Sequence, residues 1–123
     1  MDRDRIAVVG FSLGASLVLA AAGEDARVKA VVDVFGPMPT GAEKAARTPP
    51  VLILHGARDR VVPVDKAHRL EALLKARAVP HEIKIYPDQG HGFVGPAQID
   101  AAGRILAFLN RHLRGNTAPA LSP

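Results

Sequence analysis

The chain alternates short apolar runs with amphipathic stretches, and its punctuation is mostly Gly and Pro. Arg5 to Gly10 (RIAVVG) is an apolar run with β-branched Ile6, Val8 and Val9, ending in glycine, and predicts a strand. Ser12 to Ala22 is rich in Ala and Leu, apolar on most faces, and predicts a buried helix stopped at Gly23. Val28 to Phe35 (VKAVVDVF) predicts a second strand, ended by Gly36-Pro37-Met38-Pro39, and residues 40–49 read as loop or a short helix. Pro50 to His55 (PVLILH) predicts a third strand, closed by Gly56. Asp65 is placed to cap a helix through Ala78, with Ala67, Leu70, Leu73 and Leu74 on one face. Glu82 to Tyr86 (EIKIY) alternates as a fourth strand. Pro96 to Arg114 predicts a last helix with Ile99, Ala102, Ile105, Leu106, Leu109 and Leu113 on one stripe.

The order is β-α-β-loop-β-α-β-α. The first three strands are near-continuous apolar runs, as in a parallel sheet covered on both faces. The expected fold is therefore α/β, with about four parallel strands and helices on both faces. One domain over residues 3–114 is expected, followed by a flexible tail at 115–123. The length of 123 residues suits a single core. Apolar residues at 48% and charged residues at 23% exclude a disordered chain.

Cysteine is absent, which excludes a disulfide scaffold, a thiol nucleophile and a thiolate metal site. The His spacing offers no paired metal ligands, so no metal or other cofactor is expected. The net charge of +4 comes from dispersed Arg and Lys, with no adjacent basic pair and only five aromatics. A nucleic-acid groove needs clustered charge and stacking rings, so no nucleic-acid partner is expected.

Ile6 to Gly23 carries no charge and has the length of a signal sequence or a short membrane span. Asp2 and Asp4 stand where a positive flank belongs, and the run breaks at Gly10. A buried strand followed by a buried helix explains it better. No membrane partner and a cytoplasmic location are expected.

At the break lies Gly10-Phe11-Ser12-Leu13-Gly14, between a strand and a helix. This is the setting of a nucleophile elbow, in which a strained turn lifts a Ser Oγ clear of the strand end. Glycines on either side of the Ser are expected to make room for the turn. The helix start aims N–H groups at the site, so the Leu13 N–H is a candidate oxyanion donor.

A Ser hydroxyl needs a base. Of five His, His55, His68, His81 and His112 fall in or at the ends of regular elements and read as structural or surface residues. His91 lies in the Gly-flanked loop Asp88-Gln89-Gly90-His91-Gly92-Phe93 after the fourth strand, at the carboxyl edge of the sheet. The base needs an orienting carboxylate. Asp59, in the loop after the third strand, reaches the same edge and is favoured over Asp33, which lies inside an apolar run. Asp88 suits a turn.

The chain order Ser12, Asp59, His91 has gaps of 47 and 32 residues. RIAVVGFSLGASL, PPVLILHGARDRVVPVDKAHRLEALL and VPHEIKIYPDQGHGFVGPAQIDAAGRILAFLNRHL together resemble the C-terminal half of an α/β-hydrolase of the dienelactone hydrolase group. The resemblance covers nearly all of residues 3–114 and implies a truncated α/β-hydrolase fold. It carries over Ser12 as nucleophile, Asp59 as acid and His91 as base. Dienelactone hydrolases proper use a Cys nucleophile, so Ser12 moves the implied activity toward a general carboxylesterase. The family also has strands before the elbow, and a loop there supplies a second oxyanion N–H.

The expected activity is hydrolysis of short-chain acyl esters through an acyl-enzyme. Phe11, Phe35, Met38 and Phe93 are candidate pocket walls. Two alternatives stand beside it: an inactive hydrolase-fold fragment or interaction module, and a prolyl-oligopeptidase-like peptidase. The strand at residues 5–10 would be an apolar open edge, so a homo-oligomer joined there is expected.

Overall fold

The computed structural model describes residues 5–39 and 47–113. Four strands form one sheet: β1 (Ile6–Phe11), β2 (Val28–Val34), β3 (Val51–Gly56) and β4 (His81–Tyr86). They lie in the order β1-β2-β3-β4, and every pairing is parallel. Three helices join them: α1 (Leu13–Ala22), α2 (Asp65–Ala76) and α3 (Pro96–Leu113). The α/β layout read from the apolar runs is the one observed. The tail beyond Leu113 and the segment at 40–46 lie outside the described residues.

Strand periodicity sorts side chains to two faces. On one face, Val28, Val31, Val51 and Ile53 meet Leu19 and Ala22 of α1 and Ala67, Leu70 and Leu74 of α2. On the other, Ala30, Val32, Val34, Leu52 and Leu54 meet Ala101 and Phe108 of α3. Val28 and Val31 share a face despite their odd spacing. The β1–β2 register slips between Ile6/Val28 and Ala7/Ala30, so Lys29 is an extra residue on β2. Its ammonium reaches out to the Ala26 carbonyl.

Helix α2 buries the predicted face, with Leu73 packed at its margin. Asp65 is the first helical residue and makes no cap hydrogen bond; Val64 precedes it. There the carboxylate meets the positive end of the helix dipole. The helix stops before Ala78, which has φ +55, while Val79 N–H donates to Leu74 O and Ala78 N–H to Lys75 O. This closure usually takes a glycine, and with Ala in its place the sequence reads as helix for two residues too long. Along α3 the predicted stripe is rotated. Ala101 and Phe108 are buried with Ile105 and Leu109 beside them, while Ile99 and Leu106 are exposed. Phe108, 1% exposed, decides the buried face because its ring removes the largest apolar area from water.

Helix α1 is apolar all round yet only partly covered: Leu13 and Leu17 are exposed, as are Val9 and Phe11 of β1. β1 is the outer strand of the sheet on that side.

Candidate active site

In a parallel sheet all carboxyl ends share one edge, so the loops after β1, β2, β3 and β4 converge. Ser12 follows β1, Phe35 follows β2, Asp59 lies beyond β3 and His91 beyond β4.

Ser12 occupies φ 54, ψ −128, a conformation that costs a non-glycine residue about 1–3 kcal/mol. Two hydrogen bonds hold it there. Its N–H donates to Val34 O at 2.9 Å, and its carbonyl accepts from Ala15 N–H at 2.9 Å. A Cβ on Gly10 would stand 2.6 Å from Ala15 Cα and 2.7 Å from Gly14 O, so the elbow closes only on glycine there. The expectation fails for Gly14: a Cβ there meets nothing within 4 Å, because the residue lies on an open side of the first helical turn. Leu13 opens α1, where first-turn N–H groups have no acceptor within the helix.

The His91 loop is drawn down onto the end of β3. Ala57 N–H donates to Tyr86 O and Arg58 N–H to Gln89 O, both at 2.9 Å. A Cβ on Gly56 would lie 2.3 Å from Gln89 O, so glycine permits this approach. Gly90 and Gly92 pair across His91, and Gly92 takes φ +140. The buried Gln89 side chain braces the turn by accepting from Val94 N–H at 2.9 Å.

These loops bring Ser12, His91 and Asp59 into one hydrogen-bonded series. Ser12 Oγ lies 2.9 Å from His91 Nε2, and His91 Nδ1 lies 2.7 Å from Asp59 Oδ2. Asp59 Oδ1 accepts from Val61 N–H at 2.8 Å and Val62 N–H at 2.7 Å. Burial pushes the Asp59 carboxyl up. The hydrogen bonds from His91, Val62 and Val61 outweigh that and hold it below the ordinary carboxylate range. It is thus a carboxylate that makes the His91 Nδ1 a donor and leaves Nε2 to accept from Ser12.

The four candidate wall residues divide. Phe35, at φ +41, puts its ring 4.5 Å from the His91 imidazole and 5.3 Å from Phe93, and Phe11 stands 6.1 Å from Phe35. Met38 packs against the core beneath α1 and α2. His68 is exposed, His81 binds Val79 O, and His112 stacks on Phe108. Gln89 was not legible as a site residue, since nothing local distinguishes it from a turn residue. Among the described residues, no group of His, Asp and Glu could hold a metal ion. No helix among them is long and apolar enough to cross a membrane.

Asp33 does not touch this series. It is 2% exposed on β2, where Oδ1 accepts from Gly36 N–H at 2.9 Å. Burial pushes its carboxyl up to about 7, against the lowering effect of that hydrogen bond. The folded chain therefore keeps a proton that the unfolded chain releases near pH 4. Stability is full below that pH and falls as pH rises to about 7, by a total on the order of 4 kcal/mol. Asp33→Asn keeps the acceptor for Gly36 and removes the charge. Urea unfolding at pH 5 and pH 8 should show the wild type losing stability and the variant holding it. Equal losses in both would show that Asp33 is not the source.

A parallel sheet with a Ser elbow at one carboxyl end and Asp and His on neighbouring loops defines the class: the chain has the fold of the α/β-hydrolases. The model of the "Dienelactone hydrolase family" matches residues 1–110, and the chain belongs to that family of hydrolases. It is 29% identical over 104 residues to the Escherichia coli K12 protein named "Putative carboxymethylenebutenolidase", covering 75% of this chain and 38% of that one. The crystal structure titled "Putative Dienelactone Hydrolase" from Klebsiella pneumoniae superposes with a TM-score of 0.79 at 25% identity, over 89% of this chain and 53% of that one. The acylaminoacyl peptidase of Pyrococcus horikoshii superposes with a TM-score of 0.84 over 98% of this chain and 26% of that one. At 18% identity, that likeness is one of fold. The chain thus spans well under half the length of the curated relative and about half that of the Klebsiella protein.

Proposed function

We propose that the protein is a serine carboxylesterase that hydrolyses short-chain acyl esters through an acyl-enzyme. The observation that carries this reading is the unbroken Ser12–His91–Asp59 hydrogen-bonded series on a strained elbow. Membership of a hydrolase family supports it.

In the proposed cycle His91 Nε2 takes the Ser12 hydroxyl proton as Oγ attacks the ester carbonyl carbon. Negative charge moves to the carbonyl oxygen, where the Leu13 N–H and the start of α1 stabilise it. The C–O bond to the alcohol breaks, and His91 returns its proton to the departing oxygen. Water then gives a proton to His91 and attacks the acyl carbon, the bond to Ser12 Oγ breaks, and His91 returns the proton to Oγ as the acid leaves. Asp59 stays a carboxylate throughout, balancing the imidazolium. Phe11, Phe35 and Phe93 supply an apolar wall beside the imidazole. The same reading keeps the homo-oligomer at the open β1 edge, where Val9, Phe11, Leu13 and Leu17 are exposed.

A peptidase is the second reading, favoured by the fold likeness to the acylaminoacyl peptidase. Initial rates on p-nitrophenyl acetate, butyrate and dodecanoate, beside an acetylated peptide p-nitroanilide, decide between them. The esterase reading expects the two short esters to turn over fastest. Anilide cleavage exceeding ester turnover would give the site to the peptidase reading, and no turnover of any substrate would remove both.

A further inference from the structure

Resting on that reading, we propose that His55 is a positioning residue, which holds the Asp59 loop and through it the His91 ring in working geometry. His55 is the next-to-last residue of β3 and is 1% exposed. Its Nε2 lies 2.8 Å from Val62 O. A carbonyl only accepts, so Nε2 carries the proton and donates. The same nitrogen lies 3.5 Å from Asp59 Oδ2, the oxygen that meets His91 Nδ1.

Val62 is the far post of the acid loop. Its N–H donates to Asp59 Oδ1 and its C=O accepts from His55. Asp59 N–H closes the near side onto Gly56 O at 3.2 Å. The loop is thus tied to the rigid end of β3 at two points, and His55 is the only side chain that makes one of them. Without it Val62 is free to turn. The Val62 N–H then leaves Asp59 Oδ1, and the carboxylate is no longer aimed at His91.

A second observation points the same way. His55 Nδ1 is the only buried side-chain nitrogen or oxygen without a hydrogen-bond partner among the described residues. An unpartnered buried polar atom is a cost that leucine at this position would not carry. Packing alone therefore does not explain a histidine in the run Val51 to Gly56, all of it buried. The donor at Nε2 does. It also places a hydrogen-bond dipole, positive end forward, beside the Asp59 carboxylate in a water-poor site.

The test compares His55→Leu with His55→Gln, whose amide nitrogen reaches the place of Nε2, and with His55→Asn, whose shorter amide does not. Two quantities are read: kcat and KM on p-nitrophenyl acetate, and the downfield NMR resonance of the proton between His91 Nδ1 and Asp59. We expect His55→Leu to lower kcat about 10- to 100-fold, with KM changed less than about twofold, because misaimed catalytic groups slow the chemical step. The downfield resonance should broaden or vanish. His55→Gln should restore both. An unchanged kcat and resonance in His55→Leu would overturn the proposal, as would failure of His55→Gln to improve on it. Should His55→Leu fail to fold, the same decision falls to Gln against Asn: a sharp resonance and higher kcat in Gln support it, and equal behaviour overturns it. If the wild type turns over no ester, the esterase reading fails, while the resonance still decides whether His55 positions the Asp59–His91 pair.

Discussion

Ser12→Ala is expected to lower kcat for hydrolysis of p-nitrophenyl butyrate by about 10⁴- to 10⁶-fold. The substitution removes one oxygen and keeps the Cβ, so it adds no atom near Ala15 or Gly14. The hydrogen bonds from Ser12 N–H to Val34 O and from Ala15 N–H to Ser12 O are made by the backbone and survive. The elbow should therefore keep its φ of +54 and the variant should melt within a few degrees of the wild type. What is lost is the only hydroxyl bonded to His91 Nε2 among the described residues. Rates measured beside circular dichroism separate lost chemistry from lost fold. A folded Ala variant with wild-type turnover would move the nucleophile away from Ser12.

Asp59→Asn is expected to cost about 10⁴-fold in kcat, with KM little changed. Two backbone donors fix how the amide must sit. Val61 and Val62 N–H both point at Oδ1, so the Asn oxygen takes that place and its NH₂ faces His91 Nδ1. An NH₂ there needs an acceptor. The imidazole then holds its proton on Nε2, which can no longer take one from Ser12. The imidazolium formed during attack also loses its counter-charge. Stability should change with pH as well. Asp59 ionises below its ordinary range in the folded chain, so it stabilises the wild type above about pH 4 and this contribution is lost on acidification. The variant should lack that acid-side loss. Equal kcat in wild type and variant would remove Asp59 from the proposed mechanism.

Most of the fold was legible because its signals are local. Three strands are apolar runs and the fourth alternates, each closed by Gly or Pro, and the face of α2 follows from Leu70 and Leu74 at helical spacing. The misreadings arose where tertiary packing outweighed pattern. The buried face of α3 was set by Phe108 rather than by the count of aliphatic residues, and α2 closed on an Ala in a left-handed conformation. The extra residue at Lys29 has no local mark.

The meeting of Ser12, Asp59 and His91 was also readable, because a parallel sheet sends all three loops to one edge and each candidate lies just past a strand. What surrounds them was not. His55 reads as one more residue of a buried strand, and Gln89 as part of a turn; their roles depend on which carbonyl or N–H comes within reach after folding. Phe35 reads as a wall residue from the sequence, while its strained backbone and its contact with the imidazole arise only on folding. Turnover depends on the oxyanion donors as well as on the nucleophile, and one such donor is worth about 10²–10³ in turnover. Slow turnover alone therefore does not measure whether the Ser12 centre is assembled.

A direct measure is covalent capture, which needs only an activated nucleophile. The protein and its Ser12→Ala variant would be treated with a fluorophosphonate, followed by intact-mass measurement and peptide mapping. The account predicts one adduct on each wild-type chain, located at Ser12, and none on the variant. An unmodified wild-type chain, or a label that persists in the variant, would contradict it.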